Sequence, residues 1–395
     1  MTEKIKEISK ALKEPEWLLA WREKRAAEAV VLPTSVKHGI AIAALFPETE
    51  PDFAQMPEYK VESTKGIEIY TWKEAMMQEE IEPIVRGLME SIFFPVAKDH
   101  YRAVGQALFQ SGIVLYVQPN MKDDGTFVTE KITLDTVVPA SSSSDVVIVV
   151  LKEVAQCEFV SNISGGAVGS VHARTLVVIS EQESQIRLTQ LDLLSSGAMV
   201  MHASRAVVSG HGKVLWRELL MGNALVSSIT ESVLIGAGAT ATILQGIIAT
   251  EYAVFDVDVS SRHLASETSS TIKTAGTGGD SSRTLYRGLV DMHDGVKKVS
   301  GSQAAKFLVL SPGAKIDAIP SLDIASSDVT CSHKLSISHV REGDTFYPRL
   351  RGLSDTESRA LFLEGHFSDV FLGEENADMM HKILLYIEKQ NLSHD

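Results

Sequence analysis

The chain has 395 residues, of which 44% are hydrophobic and 22% charged, a composition typical of a globular protein with two or three domains. Its formal net charge of −14 argues against a nucleic-acid partner, and its two cysteines exclude a disulfide framework. Apolar runs such as Ile40–Phe46 and Val146–Leu151 are too short to cross a bilayer, and Met1–Glu28 lacks the apolar centre of a secretory signal. We therefore expect a cytoplasmic protein that binds neither membranes nor nucleic acids.

Residues 1–100 are predicted to form an N-terminal helical or mixed domain. Lys4–Val31 carries apolar residues at helical spacing, and Pro15 divides this stretch into two helices, of which the second opens at the proline. A looser, proline-containing segment follows from Pro33 to Pro57. Thr71–Glu90 is again predicted to be helical.

Residues 101–350 are predicted to form a β body. Short runs rich in valine, leucine, isoleucine and threonine, such as Gln185–Leu191, Lys213–Leu220 and Thr240–Ile248, alternate with turn residues. The spacing of the turns is irregular, so the pattern leaves a sandwich, a barrel and a solenoid open, although the length favours a solenoid. The glycine-rich stretch Ala275–Gly279 precedes no helical pattern and is interpreted as a loop.

Residues 351–395 are predicted to form a C-terminal helical domain. Ser354 and Glu357 form a capping box before a first helix, and a second helix is predicted to begin near Asn376. The apolar side chains of these short helices either pack back on the β body or offer a surface to a partner. The residues concerned are Phe362, Phe367, Val370 and Phe371.

Catalytic motifs are absent from the sequence: it has no phosphate-binding loop, no nucleophile elbow and no zinc-protease motif. One constellation remains, the strand-like Thr330–His339, whose alternation puts Cys331 and His333 on one face. A thiolate and an imidazole at this spacing suit a soft metal ion. Leu335 and Ile337 share the same face, so core packing is the alternative. Two ligands leave a metal site incomplete, and another residue or chain would have to complete it.

The stretch Ser282–Phe371 contains six motifs whose order and spacing resemble the C-terminal half of the SufB/SufD proteins of iron–sulfur cluster assembly. They are Ser282–Val290, Ser300–Leu310, Gly313–Ile324, Asp328–His333, Phe346–Ser354 and Glu364–Phe371. Ala107–Val117 is a weaker match, and Glu14–Arg22 resembles the N-terminus of SufB. The resemblance implies a mainly β fold, a right-handed parallel β-helix (a solenoid) flanked by N-terminal and C-terminal helical domains.

The resemblance also implies a function, that of a non-catalytic scaffold subunit in a SUF-type assembly complex. Two such chains would pair through their β-helices, the second being a SufB-like paralogue or another copy of this chain. The C-terminal helical domain would bind a SufC-like ABC ATPase, and Phe362, Phe367, Val370 and Phe371 are the candidate contacts. Iron or a nascent cluster would be held transiently and shared with the partner subunit, with none stably bound to the chain alone.

At the candidate metal site the chain resembles SufD more than SufB. Ala305 stands where SufB has a cluster-assembly cysteine, Ser332–Lys334 stands where SufB has E-H-E, and Arg205–Trp216 lacks the second SufB cysteine. The remaining C-S-H is the SufD arrangement, whose histidine is tied to iron delivery. His333 and Cys331 are therefore the candidate metal ligands.

Two alternatives stay open. One is a SufB-like homodimeric scaffold, which the SufB-like N-terminus favours. The other, less favoured, is a β-helix enzyme acting on polysaccharide, for which Asp256 and Asp258 would be the candidate carboxylates.

Overall fold

The computed structural model describes residues 1–33, 51–95, 97–222, 224–340 and 346–392. The apolar run Ile40–Phe46, and with it most of the looser segment before Pro57, lies outside the described residues. The protein is mainly β, a solenoid of about 7 turns with helices at its N-terminal and C-terminal ends. The expected fold class is thereby confirmed, whereas the right-handedness of the coil and the division at residues 100 and 350 stay predictions.

The N-terminal region contains five helices. They are α1 (Thr2–Leu12), α2 (Glu16–Val31), α3 (Trp72–Ala75), α4 (Glu82–Glu90) and α5 (His100–Leu108). Pro15 is the N-cap of α2, as predicted. The single helix predicted over Thr71–Glu90 is wrong, because α3 ends after one turn and Pro83 opens a new helix. A proline inside a continuous helix would remove a hydrogen bond and clash with the preceding turn.

Eighteen strands are described, and all but the first two form the coils of the solenoid. They are β1 (Glu58–Ser63), β2 (Ile67–Thr71), β3 (Ser111–Val117), β4 (Thr129–Val138), β5 (Ser143–Leu151), β6 (Gln156–Gly165), β7 (Val171–Ser180), β8 (Gln185–Leu194), β9 (Met199–Val208), β10 (Lys213–Gly222), β11 (Leu225–Leu234), β12 (Thr240–Ala249), β13 (Val254–His263), β14 (Ser269–Gly278), β15 (Arg283–Met292), β16 (Lys297–Val309), β17 (Lys315–Ile324) and β18 (Asp328–His339).

Successive strands alternate between two nine-stranded sheets, so that each turn of the coil adds one strand to each sheet. Sheet B runs β1-β4-β6-β8-β10-β12-β14-β16-β18, and sheet A runs β17-β15-β13-β11-β9-β7-β5-β3-β2. The pairs along both sheets are parallel, except for β1 with β4 and β2 with β3. The coil length varies, since Lys213 pairs with Thr240, 27 residues on, and Ser269 with Ser300, 31 residues on. This variation hides the repeat from the sequence.

The glycine-rich stretch Ala275–Gly279 is not a loop, and that interpretation is wrong. Ala275 to Gly278 lie within β14. A Cβ atom at Gly276 would stand only 2.5 Å from the ring of Phe307 on the next strand of the sheet. Glycine is needed at this position because it leaves room for the aromatic ring, not because the chain turns.

The interior of the solenoid is apolar with buried polar clusters. Among the fully buried side chains are Trp216, Phe255 and Tyr286. Arg174 donates from Nε to Asp145 (2.9 Å) and from Nη1 to Ser161 (3.0 Å), and this guanidinium holds the pKa of the Asp145 carboxyl well below its ordinary value despite burial. The buried charge is thus paired and hydrogen-bonded, as a charge in an interior must be.

Sheet A is covered by the N-terminal helices. Arg22 of α2 is fully buried and donates from Nη1 to the carbonyls of Ala107 and Phe109, both at 2.9 Å. Helix α5 lies so close to β7 that a Cβ at Gly105 would stand 2.7 Å from the Cβ of Ala173. These contacts fix the N-terminal helices to the coil.

Sheet B is covered in its middle by the C-terminal helices α6 (Phe346–Leu350), α7 (Asp355–Ser368) and α8 (Ala377–Leu392), with a 3₁₀ turn at Glu374–Asn376. The predicted Ser354–Glu357 capping box is present, and α8 begins next to Asn376 as predicted. Within the described ranges, no helix is long and apolar enough to cross a membrane.

Candidate functional site at the open end of the solenoid

The two ends of the solenoid differ. At the first end the outermost strands are short, with 6 residues in β1 and 5 in β2, and β1 carries Glu58, Lys60 and Glu62. Short, charged edges of this kind resist pairing with another chain. At the other end β17 has 10 residues and β18 has 12, and no described strand pairs with their outer edges. We call these two strands the open end.

The register of β18 confirms that Cys331 and His333 share a face. They pair with Gly301 and Gln303 of β16, both of which are buried on the inward side of the coil. His333 is itself exposed, and so are its face-mates Leu335 (37%) and Ile337 (41%). Because no further coil covers it, the face that would be core in an earlier turn is a surface here.

Strand β17 forms the other half of the open end. Its side chains are half-buried or exposed along the whole strand, and Ile319 (41%) and Ile324 (43%) are exposed. Ile316 and Leu322 pack on the core from the inward side. The open end therefore presents two unpaired backbone edges and a partly apolar mouth, a combination that favours pairing with another sheet.

Cys331 is half-buried beside His333. Burial raises the pKa of its thiol above the ordinary value, so a cation would be needed to stabilise the thiolate. Among the described residues, no group of three histidine, cysteine, aspartate or glutamate side chains lies close enough to hold a metal ion. The chain thus offers two adjacent ligand types, and any metal here would need ligands from elsewhere.

Cys157, the other cysteine, lies far from this site. It is on β6, buried inside the coil, and burial raises the pKa of its thiol to about 12. A buried, protonated thiol is unreactive, so its contribution is to core packing.

The structure separates the four candidate ATPase contacts. Phe367, Val370 and Phe371 are buried against Leu219, Leu244 and other apolar residues of sheet B. The expectation that they offer spare apolar surface is therefore wrong, because the solenoid itself covers them. Phe362 is half-buried and lines a cavity of about 440 Å³ together with Leu308, Pro348, Leu361 and His366.

Exposed apolar residues lie elsewhere on the C-terminal helices. Leu361 is 50% exposed, and three residues of α6 are more exposed still. Those three are Phe346, Tyr347 and Leu350. Sequence periodicity did not single them out, since which helical face meets the solenoid depends on the tertiary packing.

The carboxylates considered for a polysaccharide enzyme are engaged in ion pairs. Asp256 is buried and pairs with Arg287, and Asp258 lies 3.7 Å from Lys98 and 3.8 Å from Arg287. Carboxylates held by cations in this way have lowered proton affinity and little freedom to act as an acid and base pair.

Comparison with known proteins gives a consistent picture. The family model described as "SUF system FeS cluster assembly, SufBD core domain" matches residues 135–366. The chain is 23% identical over 376 residues to an iron–sulfur cluster assembly SufBD family protein of Staphylococcus epidermidis, covering 92% of this chain and 77% of that protein. A relative of the same description from Staphylococcus aureus strain USA300 matches with the same identity and coverage.

A third relative, from Staphylococcus saprophyticus, is 23% identical over 309 residues, and the match spans 75% of this chain and 64% of that protein. The family match covers more than half of the chain, including nearly all of the solenoid and the first C-terminal helices. The chain belongs to the SufBD family of iron–sulfur cluster assembly proteins.

Proposed function

We propose that this chain is a non-catalytic scaffold subunit of a SUF-type complex, in which its open end pairs with a second SufBD-type chain. The observation that carries the proposal is the pair of unpaired edges, β17 and β18, with exposed His333 between Cys331 and Leu335. A parallel solenoid whose last two strands are long and weakly charged is a template for another sheet.

Iron or a nascent cluster would be the cargo of this interface. His333 would bind iron through its imidazole, and Cys331 would add a thiolate once a cation lowers its proton affinity. The remaining ligands would come from the partner, because the described residues of this chain hold no third ligand nearby.

A SufD-like role is favoured over a SufB-like one. Ala305 lies on the inward side of β16, buried beneath Leu335 in the register of β18, where SufB would carry a cysteine. The chain would thus contribute the histidine to the interface and depend on the partner for the main thiolate. The partner of choice is a SufB-like paralogue, and a homodimer of this chain is the second candidate.

The C-terminal helices would bind a SufC-like ABC ATPase, which would supply the ATP chemistry. The binding surface is proposed to be the exposed apolar side of α6 and α7, centred on Leu361 and the cavity that Phe362 lines. Phe367, Val370 and Phe371 would act indirectly, by holding the helices on sheet B.

Anaerobic reconstitution with ferrous iron and sulfide tests the proposal. The chain alone should desalt without colour, and cluster absorbance should persist only when a SufB-like subunit and the ATPase are present. A coloured chain that keeps its cluster alone after desalting would contradict the shared site. Cleavage of acidic or neutral polysaccharides by the purified chain would instead favour the enzyme alternative.

A further inference from the structure

A cavity of about 540 Å³ lies in the N-terminal region, far along the chain from the open end. One wall is a face of α2 that presents Trp17, Trp21, Lys24 and Arg25, and the other is the end of α4 and the loop after it. A cavity of this volume matches the usual size of a small-molecule site, and its lining is rich in aromatic side chains.

The walls of the cavity are held in place by hydrogen bonds. Trp21 donates from Nε1 to the carbonyl of Met89 (3.0 Å), and its ring meets that of Phe94 edge to face at 5.3 Å. Arg205 of β9 donates from Nη1 to the carbonyls of the loop at Ile92 (3.1 Å) and Phe94 (3.2 Å). The cavity is therefore largely preformed, which lowers the entropy cost of binding.

The polar groups of the lining favour an anion. The Arg25 side chain is 6% exposed and pairs with Glu28 through its two terminal nitrogens (2.9 and 3.0 Å), but its Nε has no hydrogen-bond acceptor. A buried guanidinium donor without an acceptor is costly, and a carboxylate would satisfy it. Glu90, the carboxylate in the lining, is already paired with Arg86 at 3.3 Å. Lys24 at the rim has no ion pair within the described part of the chain.

We propose that this cavity binds a small molecule that combines an aromatic ring with a carboxylate. The ring would lie against the indoles of Trp17 and Trp21, where apolar contact and ring stacking both contribute. The carboxylate would accept a hydrogen bond from Arg25 Nε and face the Lys24 ammonium. This binding activity is separate from the scaffold function and independent of the open end.

Calorimetric titration of the full chain with two matched probes tests the inference. The probes are 1-naphthylacetate and 2-(1-naphthyl)ethanol, which share the ring and differ in the charged group. The acid should bind about tenfold more tightly than the alcohol, the difference expected of one charge-assisted hydrogen bond. Arg25→Gln should remove that difference, and Lys24→Gln, an exposed change that leaves the fold intact, should reduce it.

The control variant is Lys10→Gln, which removes a lysine charge from α1 outside the cavity and should bind both probes like the unaltered chain. Equal affinity for the acid and the alcohol, or no binding of either, would overturn the proposal. So would Lys24→Gln and Arg25→Gln variants that both keep the full preference for the acid while melting at the temperature of the unaltered chain.

Discussion

At the scale of single residues, the turns of the solenoid carry backbone strain. Val154 and Glu183 occupy equivalent turns in successive coils, with φ of 58° at each. A β-branched residue is a steric outlier in this left-handed region, whereas asparagine tolerates it. The turn geometry is set by the coil and not by the residue, since valine is found where glycine or asparagine would be expected.

We expect Val154→Asn to stabilise the chain by roughly 1 kcal/mol, because it relieves the strain of the β-branched side chain. The free energy of unfolding is measured by urea titration. Glu183→Asn is the matched control and should gain less, since glutamate is not β-branched. A Val154→Asn variant less stable than the unaltered chain would show that the apolar contacts of the half-buried valine outweigh the strain.

Glu218 gives the interior a dependence on pH. It is buried on β10, where Gln245 (2.6 Å) and Ser228 (2.9 Å) donate to it, and His202 and Asp192 are the nearest other titratable groups. Burial is the main cause that raises the pKa of this carboxyl above its ordinary value. The folded protein therefore keeps a proton that the unfolded chain releases above about pH 4.3.

From that pH up to the raised pKa, the Glu218 contribution to stability falls as the pH rises, because the folded state binds more protons. Glu218→Gln removes this loss, so its stability relative to the unaltered chain should increase with pH. The thermal midpoints of both proteins, measured between pH 5 and pH 8, give the comparison. A constant or decreasing difference over this range would contradict the raised pKa.

At the scale of the elements, the C-terminal helices pack on the solenoid through a close approach at β12. Phe371 lies over Gly246, where a Cβ would stand 3.1 Å from the phenyl ring, and it is 2% exposed. Its neighbour Leu372 is 74% exposed. Two adjacent apolar residues thus have opposite roles, and the helical pattern alone did not distinguish them.

Phe371→Ala should lower the free energy of unfolding by about 3–5 kcal/mol, the usual cost of emptying a buried phenylalanine site. Leu372→Ala should stay within about 0.5 kcal/mol of the unaltered chain. Chemical unfolding, followed by circular dichroism, measures both. Equal losses for the two variants would mean that Phe371 does not anchor the helices.

Leu361→Glu tests the ATPase surface without removing the helices. Truncation after Ser354 is a poorer test, because it would expose Leu219, Leu244 and their apolar neighbours on sheet B. We expect Leu361→Glu to abolish co-purification of a SufC-like ATPase while circular dichroism and melting stay unchanged, since Leu361 is half exposed. Leu385→Glu, at a similarly exposed position on α8, is the control. Retention of the ATPase by Leu361→Glu would reject the proposed surface.

Strand and helix positions were largely predictable from the sequence, because they depend on local patterns. The division of α1 from α2 at Pro15, the Ser354 capping box and strands such as Lys213–Leu220 follow from proline geometry, capping and β propensity. The coil repeat was not predictable, since its length drifts between 27 and 31 residues. Nor was the place of Gly276, whose reason is the Phe307 ring on another coil.

At the scale of the whole molecule, the chain is a solenoid with one blunted end and one open end. The alternation of β18 already put Cys331 and His333 on one face, but whether that face is core or surface depends on the number of coils that follow. That number is a property of the complete fold, so the sequence left both interpretations of the site possible. The exposure of His333 removes the core alternative.

The central claim is that His333 binds iron at an interface, and iron content of the assembled complex tests it most directly. His333→Ala should leave thermal stability within about 0.5 kcal/mol and subunit assembly intact, because the side chain is exposed. His339→Ala, on the same strand and face, is the matched control and should load iron normally. The account predicts that only His333→Ala loses iron per complex. Normal iron loading by His333→Ala would contradict it.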